Sequence, residues 1–328
     1  MFLKEVVDFI NGLECMVEFA PITVFAYKRK EKVEGLFESL KDCYGAKESE
    51  VIIFCDGAKN ENDFDEVLAV RDYIEAIPSK GWFKRVEINK LPYNKGLAKS
   101  IIDGVTDVIN RYGSIIVLED DLVVSKDFIS YMNGALSFYK DDKRYGEISS
   151  YSLPIKALKK YKKDVYVLRI ADCWGWATWK DRWNGCDWSL SSLDDFKNNA
   201  RKVRDLAKLN EGMLNMLENQ KSGKYDTWAA RWFFHLYNMN QWTVYPKECR
   251  TVNVGNDGSG TNCDKNNQFD NELYTGRDCV FEFLPYNTML EKMNHDYSIT
   301  RVPLYRVIFN AIWMRLHNIK LFLKKRER

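Results

Sequence analysis

From Pro21 to Tyr139 the chain alternates short apolar runs with amphipathic ones, and each apolar run stops at polar or charged residues. PITVFAYKR reads as a buried strand left at Lys28-Arg29, and KVEGLFESLKDC as an amphipathic helix. SEVIIFCDG is a second strand closing on an Asp56-Gly57 turn, and NDFDEVLAVRDYIEAI is a second helix. FKRVEINKL is a third strand, and PYNKGLAKSIIDGVTDVINRYG a loop feeding a helix. GSIIVLEDDLVVSKDFISYMNGALSFY is a fourth strand, an acidic turn and another helix. Such alternation builds βαβ units, so the expected fold is α/β, with a mostly parallel sheet flanked by helices. Ligands of these sheets bind beyond the carboxyl ends of the strands. Here those ends carry Lys28-Arg29, Asp56-Gly57, Asn94-Lys95-Gly96 and Glu119-Asp120-Asp121, which are expected to converge on one crevice.

The second half changes character. From Tyr151 onward come DCWGWATWKDRWNGCDW, KYDTWAARWFFHLYNMNQWTVYP and a Gly/Asn/Asp-rich loop from Asn253 to Asn267. Aromatic residues make up 14% of the chain, with 10 Trp, a supply of flat apolar surface that suits sugar rings and ordinary cores alike. The formal net charge of +2 gives no bias toward nucleic acid. The 8 cysteines include no C-x-x-C pair and read as buried reduced thiols, as expected of a cytoplasmic protein. Only 3 His are present, without paired spacing, which argues against a His-rich zinc site. Lys4, Glu5, Asp8 and Glu14 interrupt the N-terminal apolar residues, so that stretch does not read as a signal peptide. No apolar run is long enough to span a bilayer.

The strongest chemical signal is IIVLEDDLVV. Three adjacent carboxylates at the end of an apolar strand repel one another. A hard divalent cation relieves that repulsion and bridges to phosphate oxygens, while a solvated turn before a helix is the alternative. Asp56 is placed to accept a hydrogen bond from a base or ribose, or simply makes an Asp-Gly turn. Lys28 and Arg29 face a diphosphate or form a solvated basic loop. Asn94-Lys95-Gly96 opens a helix whose free N–H groups attract anions. Asp226, in YDTWAARW, is a general-base candidate or a cap or ion-pair residue. Trp174, Gly175 and Trp176 in CWGWATW, with Trp228, offer indole faces to a sugar or belong to the core.

Taken in order, VFAYKR, CDG, NKGLAKS, VLEDDL, CWGWATW, YDTW and GNDGSGTN resemble inverting glycosyltransferases of the Rossmann-like GT-A fold. The bacterial family-2-like sugar transferases and the animal N-acetylglucosaminyltransferase that begins N-glycan branching share this order, over roughly residues 20 to 265. The resemblance implies that Asp121 ligates Mn²⁺ or Mg²⁺ against the diphosphate of a UDP-sugar. Glu119 and Asp120 then bind donor sugar or ribose, Asp56 contacts uracil, Arg29 contacts the nucleotide and Asp226 is the catalytic base. It divides the chain into a nucleotide-sugar part at 20–150, an acceptor-binding part at 151–270 and an extension at 271–328. Relatives often carry His where GSGTN has Asn262, an amide that is a weaker ligand than imidazole.

The last stretch, VPLYRVIFNAIWMRLHNIKLFLKKRER, mixes apolar and basic residues as an amphipathic helix. It suits either an anionic membrane surface, at the inner face of the cytoplasmic membrane, or packing on the catalytic domain. A membrane tie would suit a lipid-linked glycan acceptor in bacterial surface polysaccharide synthesis. Two other classes compete: a sugar-nucleotidyltransferase and a non-catalytic carbohydrate-binding protein. The first expects a Gly-rich phosphate loop after the first strand, which VFAYKRKEK lacks; the second has no need of the acidic triplet.

Overall fold

The computed structural model describes residues 19–255, 271–276, 280–286, 293 and 297. The expected C-terminal helix, the GSGTN loop with Asn262 and the N-terminal stretch lie outside the described residues. In the first part, strand β1 (Ile22–Ala26) leads to helix α1 (Lys30–Leu40), and β2 (Glu50–Cys55) to α2 (Phe64–Ala76). Next come β3 (Arg85–Lys90), α3 (Leu97–Tyr112), β4 (Ser114–Glu119), a short β5 (Leu122–Val124) and α4 (Phe128–Tyr139). The alternation read from the sequence is therefore present, with β5 added directly after the acidic turn.

The second part contributes β6 (Tyr145–Ser149), β7 (Val165–Leu168) and β8 (Trp176–Trp179), then α5 (Lys180–Trp183), α6 (Leu193–Lys197), α7 (Ala200–Leu209) and α8 (Met213–Lys221). The aromatic helix α9 (Trp228–Asn238), β9 (Trp242–Pro246) and β10 (Thr251–Asn253) follow. Both parts share one eight-stranded sheet of order β3-β2-β1-β4-β8-β6-β9-β7. β1, β2, β3 and β4 pair in parallel, β8 runs antiparallel between β4 and β6, and β9 lies parallel to β6. The sheet is thus mostly parallel, with β8 and β7 reversed.

Helices cover both faces. Val33, Leu36, Phe37 and Leu40 of α1, Val70 and Ile74 of α2 and the apolar face of α4 close over Ile22, Val24, Ile53, Ile116 and Leu118. On the other face, Ile101, Val105 and Val108 of α3 and Trp228 and Trp232 of α9 cover Phe25, Ile52, Val117 and Trp176. Strand residues alternate between these two clusters because a strand's side chains point to opposite faces in turn. A separate two-stranded sheet pairs β10 with β5 in antiparallel register, Asn253 opposite Leu122. Among the described residues no helix is long and apolar enough to cross a membrane.

Candidate functional site

The chain order places a switch point between β1 and β4. From β1 the sheet grows outward through β2 to β3, and β4 then returns to the other side of β1. Loops leaving β1 and β4 diverge there and open a crevice at the carboxyl edge. Arg29, between β1 and α1, meets the acidic turn after β4 in that crevice. Its Nη2 donates to Asp120 and, at 2.9 Å, to Oδ2 of Asp121. Both aspartates are almost buried, at 5% and 8% exposure. Burial pushes Asp120 up to about 6 despite Arg29, and burial with the charges of Asp121 and Asp120 pushes the Glu119 carboxyl up to about 8. Nη1 of Arg29 is buried and has no hydrogen-bond partner among the described residues.

β10 forms the other wall. The Val254 N–H donates to the Asp121 carbonyl at 2.8 Å, and Lys32 of α1 donates to the Val254 carbonyl. Gly255 is required here: a Cβ on it would stand 2.2 Å from Oδ2 of Asp121. Asp121 is thereby pinched between Arg29 and the Gly255 backbone.

The other strand-end residues form a second, self-satisfied group. Oδ1 of Asp56 accepts from the N–H of Gly57 (3.1 Å) and of Lys95 (2.9 Å). Its Oδ2 accepts from Lys95 N–H (3.1 Å), Gly96 N–H (3.0 Å) and the Ser100 hydroxyl (3.2 Å). The anion held at the start of α3 is therefore Asp56 itself. This corrects the expectation that the Asn94-Lys95-Gly96 N–H groups stand free for a ligand. Asn94 donates to the Gly57 carbonyl at 2.9 Å, and the Lys95 ammonium pairs with Asp103 at 3.0 Å. Lys28 likewise turns to Asp63, at 2.6 Å, rather than toward the acidic turn.

The sugar-stacking expectation is corrected at Trp176 and Trp228, which are buried. Trp176 stacks on Trp183 and Trp228, with centroids 5.6 and 5.0 Å apart, inside the core between sheet and α9. Trp174 is part-exposed and meets Tyr151 edge-on. Gly175 has φ +84°, and a Cβ on it would lie 2.4 Å from the Ser150 hydroxyl, so both backbone and space demand glycine.

Asp226 is 63% exposed along its side chain and pairs with Arg231 at 2.9 Å. The helix it precedes lies beside the acidic turn, where the Trp228 indole favours the charged form of the Glu119 carboxyl. One turn later the Trp232 indole donates to Glu147, a buried acid of β6 that also accepts from Asp172 N–H (2.7 Å) and Thr243 (3.2 Å). Burial raises Glu147 well above the usual carboxylate range. Asp172, at the same edge, accepts from Ser149 (2.6 Å) and from the Trp174 and Cys173 N–H groups, and burial raises it to about 6. Sequence reasoning missed both acids; the only cue to Glu147 was one Glu in the apolar run YGEIS.

Among the described residues no group of three or more His, Cys, Asp or Glu is arranged to hold a metal ion. The acidic turn offers carboxylate oxygens on Asp120 and Asp121, with a cation already between them in the form of Arg29. That donor set does not make an all-protein cage. It fits a Mg²⁺- or Mn²⁺-type ion held by one or two carboxylates, with the rest of its shell taken from ligand phosphate and water.

No family model matches the chain, and no curated protein matches it. It is similar to solved structures at low identity. TarS of S. aureus is 13% identical over 39% of this chain and 21% of that one, with a TM-score of 0.26. The glycosyltransferase GlyE of Streptococcus pneumoniae is 10% identical over 69% and 44%, with a TM-score of 0.34. Galactosyltransferase LgtC, solved with donor and acceptor sugar analogues, is 13% identical over 54% and 65%, with a TM-score of 0.31. The chain spans less than two thirds of the length of each of these structures. Likenesses this distant carry no argument about chemistry.

Proposed function

We propose that this chain is a GT-A-type glycosyltransferase that moves a sugar from a UDP-sugar to a glycan or lipid-linked glycan acceptor, with inversion and with Mn²⁺ or Mg²⁺. The observation that carries the reading is the crevice at the β1/β4 switch point. There two nearly buried aspartates face one arginine whose second terminal nitrogen has no partner among the described residues. Such a site has unspent capacity for both a cation and an anion, which is what a metal–diphosphate complex presents.

In this reading Asp121 holds the cation, and the Arg29 guanidinium donates to a phosphate oxygen. When bound, the cation supplies charge stabilisation to the departing diphosphate. Glu119 and Asp120 meet the donor sugar or ribose. Asp56 stiffens the nucleotide side of the crevice by holding the Lys95 and Gly96 backbone. Asp226, two residues before α9, accepts the proton of the acceptor hydroxyl as that oxygen attacks the anomeric carbon. A single displacement from the opposite face gives inversion. Trp174, part-exposed, is the indole that meets an acceptor sugar in this reading.

Calorimetry with UDP, with and without Mn²⁺, tests the site: metal-dependent binding is expected, and its absence would sink the reading. Asp226→Asn tests the base. Turnover, read as nucleotide released with acceptor present, is expected to fall by roughly 10²–10⁴-fold while UDP affinity stays within about twofold. Substantial residual turnover reassigns the role.

A further inference from the structure

The aspartates of the acidic turn already share one cation, and through one of its atoms. Nη2 of Arg29 donates to both Asp120 and Asp121, so an ion bound through Oδ2 of Asp121 must compete with it. On its other side the Gly255 backbone approaches Asp121 so closely that a Cβ there would stand 2.2 Å from Oδ2. The backbone of Arg29 is fixed by α1, its carbonyl accepting from the N–H groups of Lys32 and Val33 at 3.1 Å. The group free to yield is therefore the Arg29 side chain, and its Nη1 is a buried donor with no partner among the described residues.

We propose that Arg29 is the resident counter-cation of the acidic turn, which a divalent cation must displace from Asp121, and that the displaced guanidinium is taken up by an anionic group of the ligand. The inference rests on the proposed function in naming that group a nucleoside diphosphate. Its consequence is coupling: metal alone binds poorly because the guanidinium has no new acceptor, and diphosphate supplies one. Each ligand then tightens the other by the same factor.

The test is a titration of Mn²⁺ into the full-length protein, free Mn²⁺ being read by electron paramagnetic resonance. For Arg29→Gln, which removes the competing charge, Mn²⁺ alone is expected to bind at least about tenfold tighter than to wild type, whereas Arg29→Lys should exclude it as wild type does. With Mn²⁺ saturating, UDP should bind Arg29→Gln at least about tenfold more weakly. Equal or weaker Mn²⁺ binding by Arg29→Gln overturns the inference. Should that variant not fold, wild type alone decides: Mn²⁺ is expected to bind at least about tenfold tighter with UDP present, and identical affinities overturn the proposal. A tighter Mn²⁺ site in Arg29→Gln, together with no UDP binding by wild type under any condition, would instead overturn the proposed function and leave the counter-cation role supported.

Discussion

Strands β4 and β6, with only β8 between them, each lie beside a set of buried acids, yet the two sets keep different company. Val117, Trp176 and Ser149 lie in one row across the three strands, so β4 and β6 stand about 10 Å apart, two strand spacings, with Glu147 two residues before that row and Glu119 two beyond it. Beyond β4, Asp120 and Asp121 are balanced by a formal positive charge, Arg29, with donor capacity left over. At β6, Glu147 and Asp172 are met by neutral donors: two indole or hydroxyl groups, one serine and backbone N–H groups. A carboxylate neutralised by a movable cation can exchange that cation for another. One enclosed by neutral donors is a fixture of the fold, since any ligand would have to break several hydrogen bonds to reach it. α9 spans the two: the Trp232 indole donates to Glu147, and Trp228, four residues earlier on the same helical face, lies beside Glu119.

The largest effect that can break this contrast is expected at Glu147. Glu147→Ala leaves the Asp172 N–H, the Trp232 indole and the Thr243 hydroxyl without their acceptor, at about 1–3 kcal/mol for each buried group left unpaired. A loss of about 3–5 kcal/mol in urea unfolding is expected, with UDP affinity per folded molecule unchanged. A stable Glu147→Ala protein with weakened UDP binding would move Glu147 into the site. The mirror experiment is Asp121→Ala, expected to lower metal-dependent UDP affinity by roughly 100-fold, about 2.7 kcal/mol, while unfolding stability shifts by less than about 1 kcal/mol. Unchanged calorimetric affinity would show that the two acidic sets do not differ as described.

Asp56 belongs with Glu147 despite its place on the nucleotide side. Its carboxylate is enclosed by neutral donors, and Asp56→Ala frees the Lys95 and Gly96 N–H groups at the start of α3. About 2 kcal/mol of stability is expected to be lost, with faster amide exchange confined to the loop around Lys95. Exchange spread evenly over the sheet would contradict this local role.

How much of this was readable in advance follows the range of the interactions. The alternation through α4 and the polar strand ends are local patterns, and the helices and strands fall close to where the periodicity put them. The Arg29–Asp121 pair spans 92 positions and the Trp232–Glu147 pair 85, and nothing local encodes which partner a buried acid finds. The indoles show the same limit. CWGWATW is compatible with a sugar platform or a core, and only the seating of α9 on β8 decides that Trp176 and Trp228 are core while Trp174 is part-exposed. The periodicity says little about the second half because β6 to β9 are short and joined through long connections, and an antiparallel β8 inserted between parallel strands has no sequence signature of its own.

The smallest expected effect tests the charge state on which the contrast depends. Burial raises Asp172 to about 6 in the folded protein, above the usual aspartate value, despite the donors around it. Its protonated form is therefore favoured by folding. That contribution to stability is complete below the unfolded value, near 4, and is lost as pH rises through about 6. Asp172→Asn keeps an acceptor for Ser149 and removes the titration. Relative to wild type the variant should gain stability between about pH 4 and pH 7, by on the order of 1 kcal/mol once the part-exposed position is discounted for solvent screening. Thermal melts across that window measure the difference directly. A variant-minus-wild-type difference that is flat with pH, or that shrinks as pH rises, would mean that Asp172 is charged throughout. The β6 edge would then hold an anion without a cation beside it, and would become a second place to look for one.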